Sequence, residues 1–313
     1  MTIILLILGL IFLVGGAEIV VRGSVSLGKK INVSLFAIGI VIVAAGTSLP
    51  ELASAIKAVI TNHSDLAVGA VVGSNIANLI LIMAATSFFA PIDKINQNQI
   101  NQAWMNIGLG LILILMHILF LPFNYLYGII AVSLLFLIMF LQVKKGAINM
   151  SGVDEKGDYS IIVSIIFITL GIFLLIYGSD LFVNSAINIA NVFNIPEAII
   201  GISLVAFGTS LPELAVGILA AIKRKVDFAL GNVLGSNIYN VLGVLGISSF
   251  FGNFNMPNIL GYQDLIFMLF VTFLILGFMF FIKRIGRLYG SIGLLMYFSY
   301  IVYIYNLSAL SDR

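Results

Sequence analysis

The sequence predicts an all-α integral membrane protein of ten transmembrane helices, arranged as two inverted five-helix repeats. Three observations predict it. The first is composition: of 313 residues, 61% are hydrophobic and only 9% charged, against about 25% charged in a soluble domain. The apolar stretches are each long enough to cross a hydrocarbon core of roughly 30 Å. The second is the placement of the basic residues, and the third is a set of polar motifs repeated at one constant offset.

The hydrophobic stretches give helices at residues 2–28, 34–60, 66–90, 101–119, 122–143, 160–190, 197–222, 227–251, 258–282 and 287–306. Turn residues separate them, as in Leu121-Pro122-Phe123-Asn124 and Asn255-Met256-Pro257-Asn258. The only sizeable polar connection runs from Lys144 to Asp158, too short for a soluble domain. The chain therefore divides into a first repeat at 1–145, a short cytoplasmic linker at 146–158 and a second repeat at 159–313. Met1 to Gly15 is apolar like a signal peptide, but it lacks a basic start and carries Glu18 and Arg22 where a cleavage site would fall. A matching segment at 163–189 is internal, so both are read as retained helices.

All the Lys and Arg residues except Lys57 and Arg313 fall at one set of alternate helix ends, among them Arg22, Lys29, Lys30, Lys144, Lys145, Lys223, Arg224, Lys225, Lys283 and Arg287. The positive-inside rule makes that side cytoplasmic and puts both termini outside. The expected location is the plasma or inner membrane, in contact with lipid. A net charge of +2 gives no basis for nucleic-acid binding, and the absence of Cys excludes disulfides and thiol chemistry.

Gly9, Gly16, Asn32, Gly39, Gly46, Glu51, Ser74 and Asn78 recur as Gly171, Gly178, Asn194, Gly201, Gly208, Glu213, Ser236 and Asn240, each 162 residues later. Five spans per half, an odd number, turn the second half over in the membrane. Secondary transporters use this plan and bind their substrate near the midplane between repeats. A duplication without a transport role would not single out polar, intramembrane residues for its best matches.

The strongest signal is Gly46-Thr47-Ser48-Leu49-Pro50-Glu51, repeated letter for letter as Gly208-Thr209-Ser210-Leu211-Pro212-Glu213. A mid-span proline opens the helix and frees the carbonyls of Gly46 and Gly208; bare backbone at that depth must be buried in protein or line a cavity. Thr47 and Glu51 are four apart, so they share a helix face, and Ser48 is three from Glu51. Two intramembrane carboxylates among hydroxyls and carbonyls suit Ca2+, which takes six to eight oxygen ligands. The competing reading pairs each Glu with a base, but only Lys57 lies well inside a nearby span, and its counterpart is Leu219. The second motif is Gly69-Ala70-Val71-Val72-Gly73-Ser74-Asn75-Ile76-Ala77-Asn78, matched by Gly231-Asn232-Val233-Leu234-Gly235-Ser236-Asn237-Ile238-Tyr239-Asn240. Its glycines allow close helix approach, and its Ser and Asn offer neutral oxygens. Alone it reads as a packing seam; beside the first motif it reads as ligands.

These paired segments resemble the two α-repeats of the Na+/Ca2+ exchanger branch of the cation/Ca2+ exchanger superfamily, prokaryotic type. The resemblance implies a ten-helix fold with four clustered cation sites and no cofactor or enzymatic activity. It implies a central Ca2+ site at Thr47, Glu51, Thr209 and Glu213. Flanking Na+ sites would use Ser48, Ser74, Asn78, Ser210, Ser236 and Asn240, with the backbone carbonyls of Ala44 and Ala206. It also implies that the long first and sixth helices slide against the rest, and the bundle can bury its own site, so a monomer should suffice. Two departures stand out. Ala70 replaces the Asn seen at Asn232, which loosens a packing contact, and Asn240 stands where K+-dependent members often have an acid. Exchange of Na+ for Ca2+ is the leading reading; H+-coupled or K+-dependent Ca2+ exchange, an intramembrane protease with a carboxylate dyad and a passive channel are its rivals. Of the lesser features, Glu18 is placed to pair with Arg22, with Asp180 at the equivalent place. His63 and His117 make no metal site, and Trp104 and the tyrosines are assigned to interface anchoring.

Overall fold

The computed structural model describes residues 2–93, 95–148, 158–192, 208–256 and 262–311. It is an all-helical bundle. Helix α1 spans Thr2–Lys30, α2 Leu35–Thr47, α3 Leu49–Ile60, α4 Ser64–Phe89, α5 Gln97–Ile118 and α6 Tyr125–Ile148. In the second half α7 spans Ile161–Val192, α8 Leu211–Ile222, α9 Val226–Ser248, α10 Tyr262–Gly277 and α11 Arg287–Ser311. Among the described residues eight helices are long and apolar enough to cross a membrane, and the α2–α3 pair, bent by 43°, makes nine. Of the expected span at 197–222, only residues from 208 onward are described. Helix α5 starts earlier than its hydrophobicity predicts, because Asn96 and Gln99 form a reciprocal capping box that carries the polar Gln97–Gln99 turn into the helix.

Helices α4 and α9 occupy the centre. Burial covers 94% of the α9 span and 78% of α4, against 28% for α1, α6 and α7. The two central spans are also among the less hydropathic, so their Ser and Asn residues face protein rather than lipid. Around them Ile76, Leu79, Ile80, Met83, Val233, Leu234 and Leu242 form one continuous core with α5, α6 and α10.

Helices α1 and α7 run in opposite directions against one another. A Cβ at Gly9 would lie 2.8 Å from the Gly178 carbonyl, one at Gly16 2.8 Å from that of Gly171, and one at Gly23 2.8 Å from that of Ser164. Glycines seven apart thus let the two backbones touch.

The contacts are reciprocal about the 162-residue offset. Gly9 meets Gly178 while Gly16 meets Gly171. Ile92 pairs with Ile285 in a short antiparallel ladder, β1 (Ile92–Asp93) with β2 (Arg284–Ile285), while Phe123 pairs with Phe254. A Cβ at Gly128 would meet the Gly246 carbonyl, and one at Gly290 that of Ala84, both at 2.8 Å. In each case residue i touches the mate of j while j touches the mate of i, as in an isologous two-fold interface. The last pair also shows that α6 packs on α9, and α11 on α4. The turns repeat too: Asn62 and Arg224, again 162 apart, both adopt left-handed φ values of 59° and 57°.

Candidate cation site

Both copies of the first motif break their helix at the serine. Ser48 sits at φ −84°, ψ 9° and Ser210 at φ −89°, ψ 2°. Pro50 and Pro212 follow in the first turn of α3 and α8, where a missing amide hydrogen costs nothing. Glu51 and Glu213 therefore stand at helix N-termini, whose partial positive charge favours carboxylates. Each is 1% exposed.

The break changes which residues are neighbours. Thr47 and Glu51 belong to different helices, so the arrangement crosses between the copies. Thr209 and Ser74 flank the Glu51 carboxyl, and Thr47 and Ser48 flank that of Glu213. The two carboxyls are close enough to interact with each other. Neither oxygen of Glu51, nor Oε2 of Glu213, has a hydrogen-bond partner among the described residues. Lys57 is exposed, so it does not neutralise Glu51. No cluster of three or more acidic or His residues exists among the described residues; the site has two carboxylates, and the rest are neutral oxygens.

Some of those neutral groups stand at the two helix breaks; the others come from α4 and α9. Asn78 Nδ2 donates to Oδ1 of Asn237 at 2.9 Å, and Asn240 Nδ2 donates to Oδ1 of Asn75 at 3.0 Å, another reciprocal pair. Asn240 Nδ2 also lies 3.1 Å from Ser74 Oγ, which is 3.5 Å from Ser210 Oγ. With their amide hydrogens engaged, Asn78 and Asn240 keep buried Oδ1 atoms without partners, as do the hydroxyls of Ser48 and Ser236. Thr47 Oγ1 donates to the Val43 carbonyl at 3.1 Å and lies 3.4 Å from Asn232 Oδ1.

The backbone carbonyls fare differently. That of Ala44 accepts the Ser48 N–H at 3.1 Å, which uses one of its two lone pairs. The Gly208 carbonyl, predicted to be freed by Pro212, accepts the Ser179 hydroxyl of α7 at 2.6 Å. Ala206 lies outside the described residues, as do the repeat positions Asn194 and Gly201. At the offset positions Asn232 is fully buried whereas Ala70 is exposed.

The two copies also differ in cover. Leu211 is 7% exposed because Leu13, Ala17 and Val20 of α1 pack over α8. Its counterpart Leu49 is 46% exposed. At the opposite, C-terminal end of α8, Glu18 Oε1 accepts Lys223 Nζ at 2.5 Å in addition to the expected Arg22 Nε, also at 2.5 Å. The residue 162 positions before Lys223 is Thr61.

Sequence reasoning missed the roles of Asn75 and Asn237, which orient the two ligand candidates. Their signal was present: both stand letter for letter in the repeated motif.

Comparison with known proteins agrees with this geometry. The family model described as sodium/calcium exchanger protein matches residues 1–144 and 163–307. The chain belongs to the sodium/calcium exchanger family. A membrane protein of Methanocaldococcus jannaschii is 31% identical over 93% of both chains, and the sodium/calcium exchanger MaX1 of Methanosarcina acetivorans is 28% identical over 96% of this chain and 98% of its own. The structure of the sodium-calcium exchanger NCX_Mj soaked with Na+ and Sr2+ is similar at a TM-score of 0.84 and 30% identity, over 96% of this chain and 97% of that one. Membership in this family makes the chain a multi-pass membrane transporter and not an enzyme.

Proposed function

We propose that the protein exchanges Na+ for Ca2+ through a midplane site built on Glu51 and Glu213. The observation that carries this reading is the burial of two carboxylates that, among the described residues, lack a basic partner and are ringed by unpartnered neutral oxygens. Two negative charges in a low-dielectric interior demand a counter-charge, and a divalent cation supplies it with oxygen coordination. Thr47 and Thr209 complete the Ca2+ site. Ser48, Ser74, Asn78, Ser210, Ser236 and Asn240, with the Ala44 and Ala206 carbonyls, hold Na+. Because both ions draw on one cluster of oxygens, one displaces the other.

The architecture in this reading is ten helices in two inverted five-helix repeats, 1–145 and 159–313, joined by the linker 146–158. The reciprocal contacts and the antiparallel α1–α7 seam support it. The basic residues put both termini outside a plasma or inner membrane, and the site drawn entirely from one chain supports a functional monomer.

The test is uptake of radioactive Ca2+ into proteoliposomes loaded with Na+. Uptake should vanish when choline replaces internal Na+ at constant pH. Equal uptake driven by a pH gradient alone would transfer the assignment to proton exchange.

A further inference from the structure

Helices α4 and α9 each widen into a π turn at the same place. In α4 the turn Asn78–Ile82 hands the Met83 N–H to the Asn78 carbonyl; in α9 the turn Tyr239–Val244 hands the Leu245 N–H to the Asn240 carbonyl. Such a turn shifts the hydrogen-bond ladder by one residue and leaves a carbonyl short of its amide donor. At this depth no water relieves it. Tyrosine hydroxyls do: Tyr289 Oη donates to the Leu79 carbonyl at 2.9 Å, and Tyr127 Oη donates to that of Val241 at 2.8 Å.

Tyr127 and Tyr289 are 162 apart, as are Leu79 and Val241, and each tyrosine is the centre of a repeated Leu-Tyr-Gly in α6 or α11. An anchoring tyrosine holds its hydroxyl at the lipid–water boundary, whereas Tyr289 is 0% exposed. Phe would fill the same volume, so packing alone does not explain a hydroxyl at both places. The bonds also cross between halves: α11 serves α4, and α6 serves α9. Tyr239 Oη also reaches a π turn, lying 3.2 Å from the Val41 carbonyl in Gly39–Val43, though it lies closer, at 2.9 Å, to Met139 Sδ.

We propose that Tyr127 and Tyr289 are a matched pair of positioning residues, which hold the π turns of α9 and α4 open and so aim Asn240 and Asn78 at the cation site. The proposal rests on the Na+ reading of those two asparagines.

The experiment uses the full-length protein with Tyr127→Phe and Tyr289→Phe. Each should raise the Na+ concentration for half-maximal Ca2+ uptake by about three- to tenfold, the worth of one buried hydrogen bond, and change Ca2+ affinity less. Hydrogen–deuterium exchange should show the crossed pattern: Tyr289→Phe speeds exchange in the Asn78–Ile82 turn, and Tyr127→Phe in the Tyr239–Val244 turn. Unchanged Na+ titrations overturn the proposal. So do Na+ and Ca2+ affinities that fall together with the yield of folded protein, which is the mark of a merely structural role. Exchange that quickens locally on α6 or α11 instead of across the halves also overturns it. A wild type without Na+-driven uptake would sink the exchange reading itself, and the crossed exchange pattern would still report whether the tyrosines hold the turns.

Discussion

Asn78 donates its side-chain amide to Asn237 at 2.9 Å, and this bond leaves its oxygen as the group that faces the site. On the proposed Na+ role of Asn78, Asn237 would act on cation binding without being a ligand candidate. Asn237→Ala should let the Asn78 amide rotate and weaken the Na+ dependence of uptake about three- to tenfold, the range of one buried hydrogen bond. Asn75→Ala should do the same through Asn240. Na+ titrations of Ca2+ uptake check both, and a wild-type curve for either would sink the orienting role.

Glu51→Gln and Glu213→Gln keep shape and remove one charge each. With one carboxylate, Ca2+ recovers too little of its hydration, and leaving a charge group uncompensated in the interior costs several kcal/mol (about 3–5). Both variants should abolish Ca2+ transport while folding normally. Calorimetric titration of the purified variants with Ca2+ decides: unchanged affinity in either removes that glutamate from the site.

Adjacent glycines of α1 give a matched pair of tests. Gly16→Ala drives a methyl to 2.8 Å from the Gly171 carbonyl, whereas Gly15→Ala meets nothing within 4 Å. Overpacking of this kind costs about 1–3 kcal/mol. Thermal unfolding in detergent should show a lowered midpoint for Gly16→Ala and none for Gly15→Ala; equal midpoints would contradict the tight seam.

Orientation can be read by labelling, because the chain has no native Cys. Cysteines replacing Thr61 and Tyr125, both exposed, should react with an impermeant reagent on intact cells, and one replacing the exposed Ser160 should not. The opposite pattern would turn the protein over.

Much of this was legible in the sequence because the chemistry is written twice. The offset of 162 identifies Glu51 and Glu213, Ser74 and Ser236, and Asn78 and Asn240, and hydropathy locates the helices that carry them. What the sequence hid has two causes. Helical periodicity assumes an unbroken helix, so Thr47 was assigned to the face of Glu51, whereas the break at Ser48 puts Thr47 beside Glu213. Residue type also misled. A tyrosine in a membrane helix reads as an interface anchor, and only the carbonyls of Leu79 and Val241, released by π turns that no local pattern announces, give Tyr289 and Tyr127 another task. The capping box at Asn96 is a smaller case, where polar residues that read as loop instead begin a helix.

The bond between Glu18 and Lys223 has no twin, since Thr61 stands where a second lysine would. The contacts described above as reciprocal can be rebuilt with the halves exchanged; this one cannot, so in the proposed alternating cycle it would favour one of the two positions. Its tilt is small. Both side chains are 29% exposed, and partly hydrated ion pairs contribute about 0.2–1 kcal/mol, a few-fold bias at most. A membrane potential of 100 mV acting on one translocated charge amounts to about 2.3 kcal/mol, enough to override it. If the proposed exchange moves net charge, the pair would set where the protein waits, while the ion gradients and the potential would decide which way it turns.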